Sequence, residues 1–193
     1  MEEKTSNIGS NPNTFLSFFI KNKKKLYVFF IVALTIISII FFIKIKNDSD
    51  NSKVSEQFNT ARIYIENQKN NEGKEILLEI IKKKNKFYSP LSLNYIIEHD
   101  LEKNYITTLG LFNTVLDING LDIELKNLIS YKKALFLINI DSSASEIVEV
   151  LNQIINSESV WKKNSASLLM DFYKNKGDDL KSEQYKNLLM NTK

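Results

Sequence analysis

The sequence predicts an all-α protein in which one N-terminal transmembrane helix precedes an array of about eight helices paired as hairpins. Three observations predict this fold. Residues 26–43 form an uninterrupted apolar run. From residue 54 onward, apolar residues recur at the three-and-four spacing of helices, and strand-like alternation is absent over any useful length. Glycine and proline are scarce, and three of the five that follow the apolar run fall between periodic segments.

The apolar run, LYVFFIVALTIISIIFFI, contains no charged residue. As a helix it would extend roughly 27 Å, close to the ~30 Å hydrocarbon core of a bilayer. The run is longer than the apolar region of a signal peptide, and no small-residue cleavage site follows it. We therefore expect a retained single-pass anchor, in preference to a buried core helix or a cleaved signal peptide.

Lysines flank the apolar run unequally. Five lie within residues 1–25, whereas only Lys44 and Lys46 follow the run closely. Because cationic loops are retained on the cytoplasmic side, residues 1–25 are predicted to be a cytoplasmic segment. The protein is then expected in the inner (cytoplasmic) membrane, with its C-terminal domain in the periplasm of a Gram-negative cell. Polar residues 44–53 are predicted to be a flexible tether, which leaves 54–193 as the folded domain.

Charge and cysteine content exclude several functions. Residues 1–46 hold seven of the 26 basic and two of the 23 acidic residues, so the rest of the chain has 19 basic and 21 acidic residues. This slightly acidic remainder excludes nucleic acid as a partner, since binding it requires a basic surface. The chain has no cysteine, which excludes disulfides, thiol catalysis and thiolate metal sites.

Eight helices are predicted in the folded domain, at about 54–67, 74–84, 90–99, 102–118, 122–138, 144–155, 159–174 and 178–190. Ser89 and Pro90 are expected to cap and begin the third helix, and residues 141–143 to cap the sixth. Short helices joined by short polar turns pair as antiparallel hairpins. Four hairpins give about 35 residues each, in the range of helical solenoid repeats.

The first predicted hairpin has the spacing of a tetratricopeptide repeat (TPR). Such a unit places small residues where its two helices cross and a large side chain beside each. The residues at these offsets are Ala61, Tyr64, Gly73 and Leu77. The stretch 173–182 resembles the aromatic, turn and small-residue part of the same repeat, whereas the two middle hairpins match it poorly. This predicts a TPR-like, right-handed helical-hairpin array.

A family resemblance covers most of the chain. Its motifs are the lysine-flanked anchor, the polar tether, Phe58-x-x-Ala61, the FYSPL stretch at 87–91 and an aromatic and leucine segment at 161–173. This arrangement resembles the YfgM-type ancillary subunits of the SecYEG translocon, which are inner-membrane proteins with a periplasmic TPR-like domain. The resemblance implies a scaffold whose partners are the translocon, periplasmic chaperones or exported clients. The chain departs from the family pattern in its middle hairpins and in its few alanines.

No enzyme site is assigned, and no catalytic, cofactor-binding or metal residue is predicted. The single histidine, His99, lies between Glu98 and Asp100, but adjacent helical side chains point about 100° apart and do not converge on one ion. We interpret His99 as a helix-end residue. No Gly-rich phosphate loop, GxSxG or HExxH motif occurs. The alternatives left open are an envelope assembly or cell-division factor of the same fold, and a membrane-anchored enzyme with an unrecognised site.

A set of aromatic residues is the candidate partner groove. Aromatic side chains on such an array can line a groove for an extended or helical segment of a partner. The same residue types more commonly fill a core, and the two interpretations both stay open. The residues are Tyr64, Tyr95, Tyr105, Phe112, Tyr131 and Phe136.

Overall fold

The computed structural model describes residues 23–191, with side chains described for 28–41 and 50–190, and this part contains eight α-helices and no strand. The helices are α1 (Lys23–Glu66), α2 (Asn70–Lys82), α3 (Tyr88–Glu98), α4 (Tyr105–Leu116), α5 (Ile123–Asn139), α6 (Ala144–Ile155), α7 (Lys162–Asn175) and α8 (Asp179–Asn191). Contacts divide the chain into two compact units, Met1–Asn51 and Ser52–Lys193. The predicted all-α class is confirmed, and each helix predicted for the folded domain corresponds to one observed helix.

The part of α1 in the first unit carries exposed apolar side chains. The large apolar side chains of 28–41 are 49–71 % exposed. Its two described polar side chains are satisfied within the helix. Thr35 donates to the carbonyl of Val32 at 2.7 Å, and Ser38 donates to the carbonyl of Leu34 at 2.8 Å. Neither hydroxyl therefore depends on water for a hydrogen-bond partner.

The predicted transmembrane span, 26–43, is only partly covered by the described side chains. Among the described residues, no helix reaches the length and hydropathy expected of a membrane span. The side chains at both ends of the predicted span are not described, and almost all of the predicted cytoplasmic segment lies outside the described residues, so the anchor stays a prediction. Residues 44–53, expected to be a flexible tether, belong to α1. They contain no glycine or proline that would end a helix.

In the second unit, α1 and α2 form a hairpin whose closest approach is at Gly73. A Cβ on Gly73 would lie 2.9 Å from the carbonyl oxygen of Ala61 and 2.5 Å from Cγ1 of Ile65. At the other end of the hairpin, Lys83 Nζ donates to Gln57 Oε1 at 2.5 Å. The two helices therefore run antiparallel. The predicted crossing of the helices at small residues is confirmed, because Ala61 is completely buried here.

The last hairpin, formed by α7 and α8, crosses in the same register as the first. The Oγ of Ser182 donates to the carbonyl of Met170, 12 residues earlier, at 3.1 Å. Gly73 likewise follows Ala61 by 73 − 61 = 12 residues. Gly110 in α4 differs from Gly73, because a Cβ there would meet no described atom within 4 Å. Gly110 is therefore not a close-packing position.

The four hairpin turns close in the same way. In each turn one residue has a positive φ, and the N–H of the next residue bonds to the carbonyl five positions earlier, which is the Schellman arrangement. The residues with positive φ are Gln68 (62°), Asp100 (49°), Asp141 (49°) and Gly177 (74°). The backbone thus repeats from hairpin to hairpin, although only the last turn uses glycine.

Alternate helices also contact each other. The Phe58 ring of α1 lies 5.9 Å from the Tyr88 ring and 5.8 Å from the Tyr95 ring, both on α3. The Tyr131 ring of α5 stacks on Trp161, the N-cap residue of α7, with centroids 5.6 Å apart. Contacts between both adjacent and alternate helices are the packing expected of stacked hairpins.

The buried residues form two hydrophobic cores. The first lies among α1 to α5 and includes Phe112, which is 1 % exposed. The second lies among α5 to α8 and includes Leu169, which is completely buried. α5 contributes to both, with Ile129 in the first and Leu137 in the second. Neighbouring hairpins therefore share each core, and α5 joins the two.

Candidate functional site

A groove runs between α3 and α5, and local hydrogen bonds set where each helix begins. The Oδ1 of Asn85 accepts from the backbone N–H of Tyr88 at 2.8 Å. Ser89, which was predicted to cap α3, is buried and donates instead to the carbonyl of Ile80 at 2.9 Å. The capping prediction for Ser89 was wrong, because Asn85 supplies the side-chain acceptor. At α5, Asp122 Oδ1 accepts from the N–H of Leu125 at 3.0 Å.

The α3–α5 groove, as we call it, contains two adjoining cavities. The first has a volume of about 280 Å³ and a mainly apolar lining that includes Leu91, Leu125 and Leu128. The second has a volume of about 410 Å³, and its lining includes Leu135 and Phe136. Both cavities share Asn94, Ile97 and Lys132 as lining residues. The groove therefore presents apolar surface on both sides of a polar bridge.

That bridge consists of three side chains. Lys132 Nζ donates to Asn94 Oδ1 across the groove, and Asn94 Nδ2 donates to Glu98 Oε2 at 3.2 Å. Among the described residues Lys132 forms no ion pair, whereas the adjacent Lys133 pairs with Glu146 at 3.3 Å. A partly buried cation beside apolar walls attracts an anionic or carbonyl group carried by an apolar segment.

The predicted groove aromatics are not brought together at one site. Phe112 lines the first cavity and is 1 % exposed, and Phe136 lines the second. Tyr95 is half-buried beside the first core, where its ring lies 4.2 Å from that of His99. Tyr131 packs on the second core, and burial there raises the pKa of its hydroxyl, with a smaller contribution from Asp171.

Two predicted groove residues lie near turns, away from both cavities. The Tyr64 ring at the end of α1 lies 5.8 Å from Lys69 Nζ. Tyr105 is the first residue of α4 and is 55 % exposed. Neither residue lines the described cavities.

The residues that define the groove most clearly, Asn94 and Lys132, were not singled out from the sequence. Asn94 interrupts the otherwise apolar middle of α3, and Lys132 lies within a largely apolar α5. A polar residue in the apolar part of a short helix was the available signal. It could be used only once α3 and α5 were known to be neighbours.

His99 is the C-cap residue of α3, as predicted. Within the described part of the chain, no group of three or more histidine, cysteine, aspartate or glutamate side chains could hold a metal ion.

Comparisons with protein-family models, with curated proteins and with solved structures find no match to this chain.

Proposed function

We propose that this protein is a membrane-anchored, TPR-like scaffold that binds a segment of another protein in the α3–α5 groove. The observation that carries the proposal is the groove itself, in which apolar cavities flank the Lys132 ammonium, and this group forms no ion pair with a described residue. The lining suits an apolar peptide segment that brings one carbonyl or carboxylate oxygen to Lys132 and Asn94. The partner can then be held near the membrane without covalent chemistry.

The repeated backbone supports the TPR-like, right-handed arrangement in this proposal. The first and last hairpins cross with the same separation of 12 residues, and all four hairpin turns share the Schellman closure. In such arrays the first helices of successive hairpins line a common concave face. α3 and α5 are the first helices of the second and third hairpins, so their groove would lie on that face.

The apolar part of α1 supports the membrane anchor. Its large side chains are exposed over 28–41, while the hydroxyls of Thr35 and Ser38 bond within the helix. A helix with internally satisfied polar groups suits hydrocarbon. Attachment to the membrane raises the local concentration of the scaffold near membrane partners, so weak contacts suffice. The resemblance to YfgM-type subunits makes the Sec translocon and periplasmic chaperones the first partners to test.

Photo-crosslinking from the full-length chain in its native membrane tests the binding site. A crosslinking residue at position 135, in the groove and 41 % exposed in the native chain, is compared with one at Ile106, which is 66 % exposed and outside both cavities. We expect a discrete protein adduct from position 135 that is lost when Lys132→Glu is added, and none from 106. The absence of an adduct from position 135, with normal amounts of protein, would overturn the groove as the binding site.

The identity of the adduct decides between partners. A SecYEG subunit or a periplasmic chaperone supports the translocon proposal. An envelope assembly or division protein supports the alternative function with the same fold.

The topology is tested separately by reporter fusions after Lys53 and after Lys193. Activity of a reporter that works only in the cytoplasm, at either position, would overturn the proposed orientation.

A further inference from the structure

Three loops lie together at one end of the second unit. Lys86 in the α2–α3 loop reaches Gly120 in the α4–α5 loop. Its Nζ lies 2.7 Å from the position that a Cβ added to Gly120 would occupy. In the α6–α7 loop, Ser159 Oγ and the Val160 N–H both donate to Glu124 near the start of α5. We call the end formed by loops 83–87, 117–122 and 156–161 the loop edge, and the end formed by the four hairpin turns the turn edge.

α1 enters the second unit at the loop edge. Lys83, the first residue of the α2–α3 loop, contacts Gln57, which is only five residues after Ser52 (57 − 52). Residues 44–51 are all that separate Ser52 from the apolar run. Even fully extended, this stretch reaches roughly 28 Å. If the run is in a membrane, as proposed above, the chain itself keeps the loop edge close to that membrane.

Each loop of the loop edge, or the first helical residue after it, exposes one large apolar side chain. These residues are Phe87, Ile123 and Val160, which are 65 %, 63 % and 76 % exposed. They are 36 and 37 residues apart, so one occurs in each successive hairpin, at or just before the first turn of α3, α5 and α7. The turn edge also exposes large apolar residues, Ile106 at 66 % and Leu180 at 75 %, so the two edges are distinguished by their charge.

The two edges differ in charge. Counting each loop with one residue on either side, the loop edge holds five lysines and three carboxylates. Counted in the same way, the turn edge holds three lysines and seven carboxylates. Four of the five lysines, Lys82, Lys83, Lys84 and Lys86, precede Phe87. Anionic lipid headgroups attract lysines and repel carboxylates, so only the loop edge is complementary to an anionic membrane.

From this placement we infer that the loop edge is a membrane-contact surface: Phe87, Ile123 and Val160 insert at the interface of an anionic bilayer while neighbouring lysines contact lipid phosphates. This inference rests on the proposed membrane anchor and adds a second attachment to it. Apolar side chains surrounded by lysines bind the interface by burying apolar area and by attraction to anionic headgroups. The contact would hold the domain against the membrane and fix the orientation of the α3–α5 groove.

Site-specific fluorescence in proteoliposomes tests the inference, and the absence of cysteine makes the labelling simple. The full-length chain carries a single Ile123→Cys or Val160→Cys substitution, labelled with a polarity-sensitive fluorophore. Ile106→Cys at the turn edge is the matched control, because Ile106 is an isoleucine of similar exposure, 66 % against 63 % for Ile123. The vesicles contain phosphatidylcholine with or without phosphatidylglycerol, together with a lipid-borne quencher.

We expect severalfold stronger quenching at positions 123 and 160 than at 106, increased further by phosphatidylglycerol. Replacing Lys82, Lys83, Lys84 and Lys86 by Gln should remove the effect of phosphatidylglycerol. Equal quenching at 106 and 123 would overturn the membrane contact, and equal quenching in both lipids would overturn its anionic preference. Failure of the anchor would be distinct, because alkaline carbonate would then extract the whole chain from the vesicles. Thermal unfolding of each labelled variant verifies that it is folded.

Discussion

The Ser159 hydroxyl donates a 2.8 Å hydrogen bond to the Glu124 carboxylate and thereby joins the start of α7 to the start of α5. The same carboxylate accepts from the N–H of Val160 at 3.3 Å, and Ser159 Oγ in turn accepts from the N–H of Trp161 at 3.1 Å. One half-buried acidic residue thus holds residues 159 and 160 of the loop between α6 and α7. It also positions Trp161 for stacking on Tyr131.

Glu124→Ala should lower the free energy of unfolding by about 1–3 kcal/mol, because hydrogen bonds to a charged acceptor are lost. Ser159→Ala should cost about 1 kcal/mol, and the double variant less than the sum, since both changes break the same contact. Urea unfolding followed by the fluorescence of the single tryptophan measures each value. Glu158→Ala, at an exposed neighbouring residue, is the control and should change stability by under about 0.5 kcal/mol. Strict additivity of the two changes would contradict the shared contact.

Gly73→Ala should destabilise the first hairpin. The added Cβ would lie 2.5 Å from Cγ1 of Ile65 and 2.9 Å from the backbone oxygen of Ala61, and the backbone atom cannot move aside as a side chain can. Overpacking of this kind costs about 1–3 kcal/mol, which thermal unfolding monitored by circular dichroism would detect.

Gly110→Ala is the matched control for this substitution. Gly110 is also within a helix, but its Cβ position has no described atom within 4 Å. Alanine favours helix over glycine by up to about 1 kcal/mol, so this variant should be as stable as the native chain or more stable. Destabilisation by Gly110→Ala equal to that by Gly73→Ala would show that the α1–α2 crossing is not the cause.

Gln68→Gly should stabilise the chain by about 0.5–1 kcal/mol. Gln68 has a φ of 62°, a conformation that is strained for a residue with a Cβ and relaxed for glycine. Gly177 already occupies the corresponding position in the last turn. Gln68→Ala serves as the control, because alanine keeps the Cβ and should leave the melting temperature nearly unchanged. An equal gain from alanine and glycine would rule out backbone strain as the reason.

The helices were predictable from the sequence because each short helix has its own apolar periodicity and a polar turn. The end of α5 and the start of α6 illustrate this: Ser143, within the stretch expected to cap the sixth helix, accepts from the N–H of Glu146. At the start of α3 the prediction of Ser89 as the cap was wrong, because Asn85 supplies the acceptor and the position of Ile80 makes Ser89 an interhelical donor.

The groove could not be predicted from aromatic residues alone. An aromatic residue at helical spacing signals burial, but not which neighbour buries it. Phe112 reaches a cavity, Tyr131 packs on Trp161, and Tyr105 is exposed. Lys132 and Asn94 are 38 residues apart in the sequence. Their hydrogen bond depends on α3 and α5 being neighbours, which no local sequence pattern specifies. Residue type therefore indicated a candidate groove, whereas helix packing determines where the cavities lie.

Glu102 should contribute stability at neutral pH that is lost in acid. The backbone N–H of Asn104 donates to its carboxylate at 2.8 Å and Lys74 lies 3.4 Å away. The bond from Asn104 is the main reason that the pKa of Glu102 is lowered, Lys74 adds to the shift, and partial burial opposes it. Because the folded-state pKa lies below that of the unfolded chain, the contribution is complete above the unfolded pKa and disappears as pH falls through the folded value.

The free energy of unfolding should therefore decrease between about pH 5 and pH 3, and Glu102→Gln should make this decrease smaller by removing the titrating group. Lys74→Gln is the discriminating variant. It leaves the Asn104 hydrogen bond in place, so most of the pH dependence due to Glu102 should persist. Urea unfolding across this pH range measures all three chains. If Lys74→Gln flattened the profile as much as Glu102→Gln, the ion pair, and not the backbone hydrogen bond, would be the dominant stabiliser of the carboxylate.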